Sequence, residues 1–218
     1  MDFHYLGRVS FADGLARQNE LVEQRRRGLI ADTILLLEHE PVYTIGRTRD
    51  RSSLRDPDSL PFPVVETNRG GQATFHGPGQ LVGYLILDLN DYGRDLHRYL
   101  RQIESALIGY ATSLGLSTGR REGLTGVWIG PRKLASIGIG VRHWIAMHGF
   151  GLNVTRDLSG YESIIPCGIS DVRMTSLAEE LDLGISVAEV AAAIPEFILE
   201  SLRALRTTGS VLQDPSEP

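Results

Sequence analysis

Residues 69–89 read Arg-Gly-Gly-Gln-Ala-Thr-Phe-His-Gly-Pro-Gly-Gln-Leu-Val-Gly-Tyr-Leu-Ile-Leu-Asp-Leu. The second part, 81–89, is a nine-residue, mostly apolar run of the kind that becomes a buried central strand. The first part sets glycine at 70, 71, 77 and 79 just ahead of it. Glycine lets a backbone approach a ligand closely and leaves its N–H donors uncovered. A glycine-rich hairpin is the other reading of the same residues. The spacing matches neither a P-loop nor G-x-G-x-x-G, so no nucleotide-binding motif is present.

Working outward, 3–9 reads as a strand and 11–27 as a helix ending on Arg25, Arg26 and Arg27, with Gly28 to stop it. Segments 33–37, 42–45 and 64–67 have strand character, and the polar, proline-containing stretch 47–63 reads as a long exposed loop. Segment 95–114 carries Leu96, Leu100, Ile103, Leu107, Ala111 and Leu114 at helical spacing. Strand-like runs follow at 126–129, 134–141 and 145–154. Ser176 with Glu179, and Ser186 with Glu189, resemble capping boxes that open helices. The last helix runs to about Leu205, with Pro195 kinking or dividing it. Strands and helices do not alternate strictly. That order predicts an α+β fold, with a large mixed β-sheet flanked by helices, rather than a doubly wound one. No repeat or linker divides the chain. One domain over 1–207 is expected, with a flexible tail at 208–218.

The chain has 218 residues, 42% of them hydrophobic and 22% charged, which suits one globular domain. A net charge of −5 argues against a general binder of nucleic acid or anionic membrane. No apolar run is long enough to span a bilayer and no signal pattern opens the chain, so a soluble, cytoplasmic protein is expected. A single cysteine excludes an internal disulfide and a multi-cysteine zinc site. His76, His143 and His148 fall in glycine-rich regions, but no short ligand spacing links them, so no metal is expected.

The two rarest residues attract attention. Of 22 basic residues only Lys133 is lysine, and Cys167 is the only cysteine. Lysine can give up its proton where arginine in practice cannot, so a lone lysine among arginines marks a position where arginine would fail, or else an ordinary surface residue. Cys167 sits in a Pro-Cys-Gly turn. A lone cysteine is commonly a small buried hydrophobe, but a turn can expose its sulfur, and the thiolate is the reactive form. The spacing of Lys133 and Cys167 does not say whether they meet.

Four segments together, RGGQATFHGPGQLVGY (69–84), RKLASIGIGVR (132–142), HGFGLNV (148–154) and PCGI (166–169), resemble the lipoyl(octanoyl) transferase family, whose members are octanoyl-[acyl-carrier-protein]:protein N-octanoyltransferases. The resemblance covers roughly 5–181. It implies the catalytic fold shared with lipoate-protein and biotin-protein ligases. It implies that Cys167 carries an acyl thioester and that Lys133 assists as base. It places the substrate pocket on Arg69, Gly70, Gly71, Gln72, Ala73, Thr74, Phe75 and His76, on Ser136, Ile137 and Gly138, and on Gly149, Phe150 and Gly151. The implied donor is octanoyl-acyl carrier protein. The implied acceptors are lipoyl domains of 2-oxoacid dehydrogenase complexes and the glycine cleavage H protein. Thioester-to-amide transfer is downhill, so no ATP, metal or other cofactor is implied. Acidic partners would favour a basic rim, with Arg69, Arg132 and Arg142 the nearest candidates unless Arg69 faces the pocket instead. Two rival readings remain: an ATP-dependent lipoate or biotin ligase on the same fold, and a non-catalytic acyl-binding protein.

Overall fold

The computed structural model describes residues 1–169 and 172–209. Its elements are β1 (Asp2–Val9), α1 (Phe11–Arg26), β2 (Thr33–His39), β3 (Val42–Ile45), β4 (Val64–Glu66), β5 (Thr74–His76), β6 (Gln80–Ile86), α2 (Leu96–Ser113), β7 (Val127–Ile129), β8 (Arg132–Arg142), β9 (Ile145–Asn153), β10 (Arg173–Met174), α3 (Leu177–Leu181) and α4 (Val187–Gly209). Seven strands form the main sheet in the order β1-β2-β6-β9-β8-β10, with β7 also on β8. β1–β2 and β8–β10 are parallel and the other pairs antiparallel, so the sheet is mixed as the element order predicts.

Alternation along β6 explains the layers. Leu81 and Leu85 face a core shared with α2 and α4, whereas Val82, Tyr84 and Ile86 face α1. Both faces are covered, which is why β6 reads as a nearly unbroken apolar run. A second sheet, β4-β3-β5, lies apart from the first and packs Tyr43 and Phe75 against Tyr161, Leu54 and Ile164.

Capping sets the helix ends. Ser10 Oγ accepts from the Asp13 amide to start α1, and Gly28 at φ +70° ends that turn. Ser186 and Glu189 form a reciprocal capping box for α4. At Ser176 only half the box forms, because the Glu179 carboxylate turns to Arg173 and Thr175.

Three expectations are corrected and one alternative is decided. β6 stops at Ile86, because Asp88 caps a 3-10 turn over Leu89–Tyr92 through the Asn90 amide. α4 continues through Pro195 without dividing. The capping box at Ser176 is incomplete. The 47–63 loop is not exposed throughout: Ser53 and Leu54 are buried. The Ser53 carbonyl accepts from the Ile165 amide at 2.7 Å, and the Arg55 amide donates to the Ser163 carbonyl at 3.1 Å. The tail expected at 208–218 lies almost wholly outside the described residues.

Candidate active site

Cys167 lies in a 3-10 turn over Pro166–Gly168 with φ +57° and ψ 19°, a left-handed conformation uncommon outside glycine. Gly168 follows at φ +66°. A Cβ at Gly168 would also lie 1.6 Å from Gln72 Oε1, so the turn needs glycine there for both backbone and space. The Cys167 amide donates to the Ala73 carbonyl and the Gly168 amide to the Ile165 carbonyl, each at 2.9 Å. A turn pinned from both sides holds a strained residue in place.

The sulfur meets the start of β8. Lys133 Nζ donates to Cys167 Sγ at 3.1 Å, and Ser136 Oγ lies 3.8 Å from the same atom. The two singletons of the sequence are therefore in contact across 34 residues. Lys133 is 1% exposed. Its remaining close partner is the Trp128 ring, whose centroid is 5.2 Å from Nζ. Strand pairing brings that ring to the lysine, because Trp128 and Lys133 are partners in β7 and β8.

The glycine-rich segment lies flat across the sheet as a strap. The Gly70 amide donates to the Ile139 carbonyl at 2.8 Å. A Cβ at Gly138 would come within 2.9 Å of the Gly70 carbonyl oxygen, so this approach requires glycine in β8. Arg69 bolts the strap to β3. Its guanidinium donates to the Thr44 hydroxyl and carbonyl and to the Gly70 and Gln72 carbonyls, at 2.6–3.3 Å. No carboxylate is among these partners. Burial lowers its pKa, opposed by the nearby Cys167 sulfur.

Strap, sheet and turn enclose a cavity of about 480 Å³ including its mouth. Cys167 and Ser136 are at one end, and Phe11, Tyr84 and His148 also line it. Its polar side chains point their heteroatoms at one another. His76 Nδ1 pairs with Gln80 Oε1 at 2.7 Å, and Gln80 Nε2 donates to Asn153 and Tyr161. Tyr84 pairs with His39 at 2.5 Å, and His148 with Asn68 at 2.6 Å. Burial holds the pKa of His39 and His148 near about 4 and that of His76 near about 3, so all three are neutral at pH 7. The same burial raises the Tyr84 pKa. These histidines and Tyr84 thus add no charge to the wall, leaving Arg69 as a cation on it.

Of the pocket residues implied by resemblance, Arg69, Gly71, Thr74, His76, Ser136, Ile137, Gly138, Gly149, Phe150 and Gly151 line this cavity. Four do not. Gly70 anchors the strap, and Ala73 holds the Cys167 amide. Gln72 accepts from Ser53 and donates to Asp50 beneath the turn, and Phe75 packs on Tyr43, Phe62 and Tyr161. They are supports, set back from the surface because alternation and the strap's curvature turn them away. Sequence alone does not single out Phe11, Val82 or Tyr84, which also line the cavity, since nothing short of tertiary contact separates them from ordinary helix and strand residues. The basic rim is also corrected. Arg69 is buried, and Arg132 is held bidentate by Glu180 at 2.6 and 2.8 Å. Arg142 alone of the three is exposed, beside Arg47 and Arg49.

Among the described residues no group of three His, Cys, Asp or Glu side chains could hold a metal, and no helix is long and apolar enough to cross a membrane. Residues 10–198 match the lipoyl protein ligase A/B catalytic domain. The octanoyltransferase of Geobacter metallireducens is 48% identical over 206 residues, 93% of this chain and 95% of that protein. That of Geobacter sulfurreducens is 51% identical over 189 residues, 87% and 79% of the two chains. Among solved structures, a bipartite lipoate protein ligase from Thermoplasma acidophilum superposes with TM-score 0.67 at 16% identity, covering 100% of this chain and 95% of that one. Biotin protein ligase from Aquifex aeolicus, in complex with biotin and ATP, gives 0.58 at 17% identity, covering 94% and 72%. At such identities the structures establish the shared fold.

Proposed function

The chain belongs to the octanoyltransferase family of lipoyl protein ligase A/B catalytic domains, enzymes of octanoyl transfer in lipoylation, and from that premise we propose that it works through a Cys167 thioester. The donor is octanoyl-acyl carrier protein. The acceptor is a lysine of a lipoyl domain, either in a 2-oxoacid dehydrogenase complex or in the glycine cleavage H protein. The observation that carries this reading is the 3.1 Å contact between Lys133 Nζ and Cys167 Sγ, which joins a nucleophile to a base at one end of the cavity.

In the first half-reaction Lys133 takes the Cys167 proton and the thiolate attacks the donor carbonyl. The new C–S bond forms, the carrier C–S bond breaks, and the carrier sulfur leaves with the proton from Lys133. In the second half-reaction the acceptor amine attacks the acyl-enzyme and passes its extra proton to Lys133. Collapse of that intermediate forms the amide and returns the Cys167 thiolate. No electron changes hands and no bond of ATP is consumed.

The oxyanion needs donors other than the turn itself, because the Cys167 and Gly168 amides are already engaged. Ser136 Oγ, 3.8 Å from the sulfur, is such a donor, with the Arg69 cation also lining the cavity. Among the described residues no carboxylate pairs with Arg69, so its field favours negative charge at the sulfur and at the carbonyl oxygen. Burying the alkyl chain, at about 0.8 kcal/mol per methylene, favours an octanoyl over a short acyl donor by several kcal/mol.

Intact-mass spectrometry after incubation with octanoyl-acyl carrier protein, without ATP, tests this. An octanoyl adduct on Cys167 that a lipoyl domain then discharges is the expected result. Acylation that requires ATP and magnesium, or leaves Cys167 unmodified, would sink it.

A further inference from the structure

A second cavity lies behind the first. It is an open groove of about 750 Å³ including its mouth, lined by Leu15 and Asn19 of α1 and by Asn68 and Met147, with Arg47 and Arg142 at its edge. What divides the two is a thin wall. His148 faces the catalytic cavity and its neighbour Met147 faces the groove. Asn68 lines the groove and joins the two, with Oδ1 2.6 Å from His148 Nε2 and Nδ2 donating to Met147 Sδ at 3.4 Å.

The chain is shaped to build this wall. His148 is left-handed within β9, at φ +59°. Its amide donates to Gln18 Oε1 of α1 at 2.8 Å. A Cβ at residue 140 would fall 3.2 Å from His148 Cδ2 and 3.3 Å from the Asn68 carbonyl oxygen, so glycine there makes room for the pair.

The wall stands at a definite distance from the sulfur. Register pairs Ser136 with Gly151 and Ile139 with His148. Cys167 Sγ is 3.8 Å from Ser136 Oγ. From Ser136 to Ile139 is three residues, about 10 Å at roughly 3.3 Å per strand residue. An octanoyl group has seven C–C bonds of about 1.5 Å, which zigzag to roughly 9 Å. The methyl end of an acyl group on Cys167 would therefore stop against His148. Because burial keeps that imidazole neutral at pH 7, no charge meets the chain end.

We infer that the His148–Asn68 pair is a ruler that limits the acyl group on Cys167 to about eight carbons. The inference rests on the thioester reading above, and it adds the residues that set chain length. Opening the wall should let longer chains run through into the groove.

The test measures Cys167 adduct formation by intact mass with octanoyl and dodecanoyl thioesters of pantetheine, in wild type and in Asn68→Ala. Each additional buried methylene is worth about fourfold. Asn68→Ala should therefore move the dodecanoyl-to-octanoyl rate ratio upward by about tenfold or more. Met147→Ala thins the same wall from the groove side and should move the ratio the same way, should Asn68→Ala not fold. A ratio cancels general losses of fold or nucleophilicity. If wild type forms the octanoyl adduct and both variants keep its ratio, the ruler is refuted and the thioester stands. If wild type forms no adduct from either thioester, the thioester fails and the ruler with it.

Discussion

Replacing Lys133 by methionine separates catalysis from stability. The side chain is 1% exposed, and its contacts are Cys167 Sγ at 3.1 Å and the Trp128 ring at 5.2 Å. Among the described residues no carboxylate offsets the desolvation of its amine, and a thiol is a weak acceptor. Methionine has a similar length and no group to desolvate. Unfolding free energy should therefore hold or rise, by about 1 kcal/mol, as it does when a buried polar group gives way to an apolar one of like shape. Catalysis should move the other way. A positioned base contributes about 10²–10⁴ in rate, or roughly 3–5 kcal/mol of barrier. Rapid-quench intact-mass measurements of Cys167 acylation give the rate, and urea melts followed by fluorescence give the unfolding free energy. Lys133→Arg keeps the charge but cannot accept a proton, so it should be as inactive as methionine. The reasoning fails if Lys133→Met retains activity within tenfold, or if its loss comes with more than about 2 kcal/mol of destabilisation. High activity in Lys133→Arg would reduce Lys133 to a fixed cation.

Cys167→Ser should fold and melt like wild type yet form no acyl adduct, because a hydroxyl is a far poorer nucleophile than a thiolate; wild-type turnover would remove Cys167 from the mechanism. Gly168→Ala should lose about 1–2 kcal/mol from its left-handed backbone alone, and more from the overlap with Gln72, with kcat falling as the turn shifts; unchanged melting and kcat would show that the turn is not constrained. Folding lowers the proton affinity of His39, His76 and His148, so the unfolded chain binds protons first as pH falls. Stability should be full above about pH 6.5 and erode toward about pH 4, by up to about 1.4 kcal/mol per unit per imidazole. A melting temperature flat across that window would show the three are not buried neutral.

The local pattern along the chain was enough to specify the layers. The apolar run at 81–89, the helical spacing at 95–114 and the departure from strict alternation together determined a mixed sheet covered by helices, because burial on two faces writes itself into the sequence as periodicity. The four motifs carried the family, and the lone Lys133 and lone Cys167 were conspicuous before any geometry was known, since substitution of one basic residue type for another leaves a compositional trace. Contact between distant segments leaves none. That Lys133 reaches Cys167 depends on β8 meeting the 166–168 turn. That Gly70, Gln72, Ala73 and Phe75 support the pocket instead of lining it depends on how the strap curves over Gly138. That Ser53 and Leu54 are buried depends on their pairing with residues 163–165, though their polar, proline-rich surroundings read as exposed loop. Asn68 and His148 show the limit most clearly: His148 opens a motif, but nothing in the sequence pairs it with Asn68, and only the packing of the strap against β9 brings the two together. Periodicity and composition report how a residue relates to solvent and to its near neighbours, whereas the cavity is bounded by side chains that tertiary folding alone brings together.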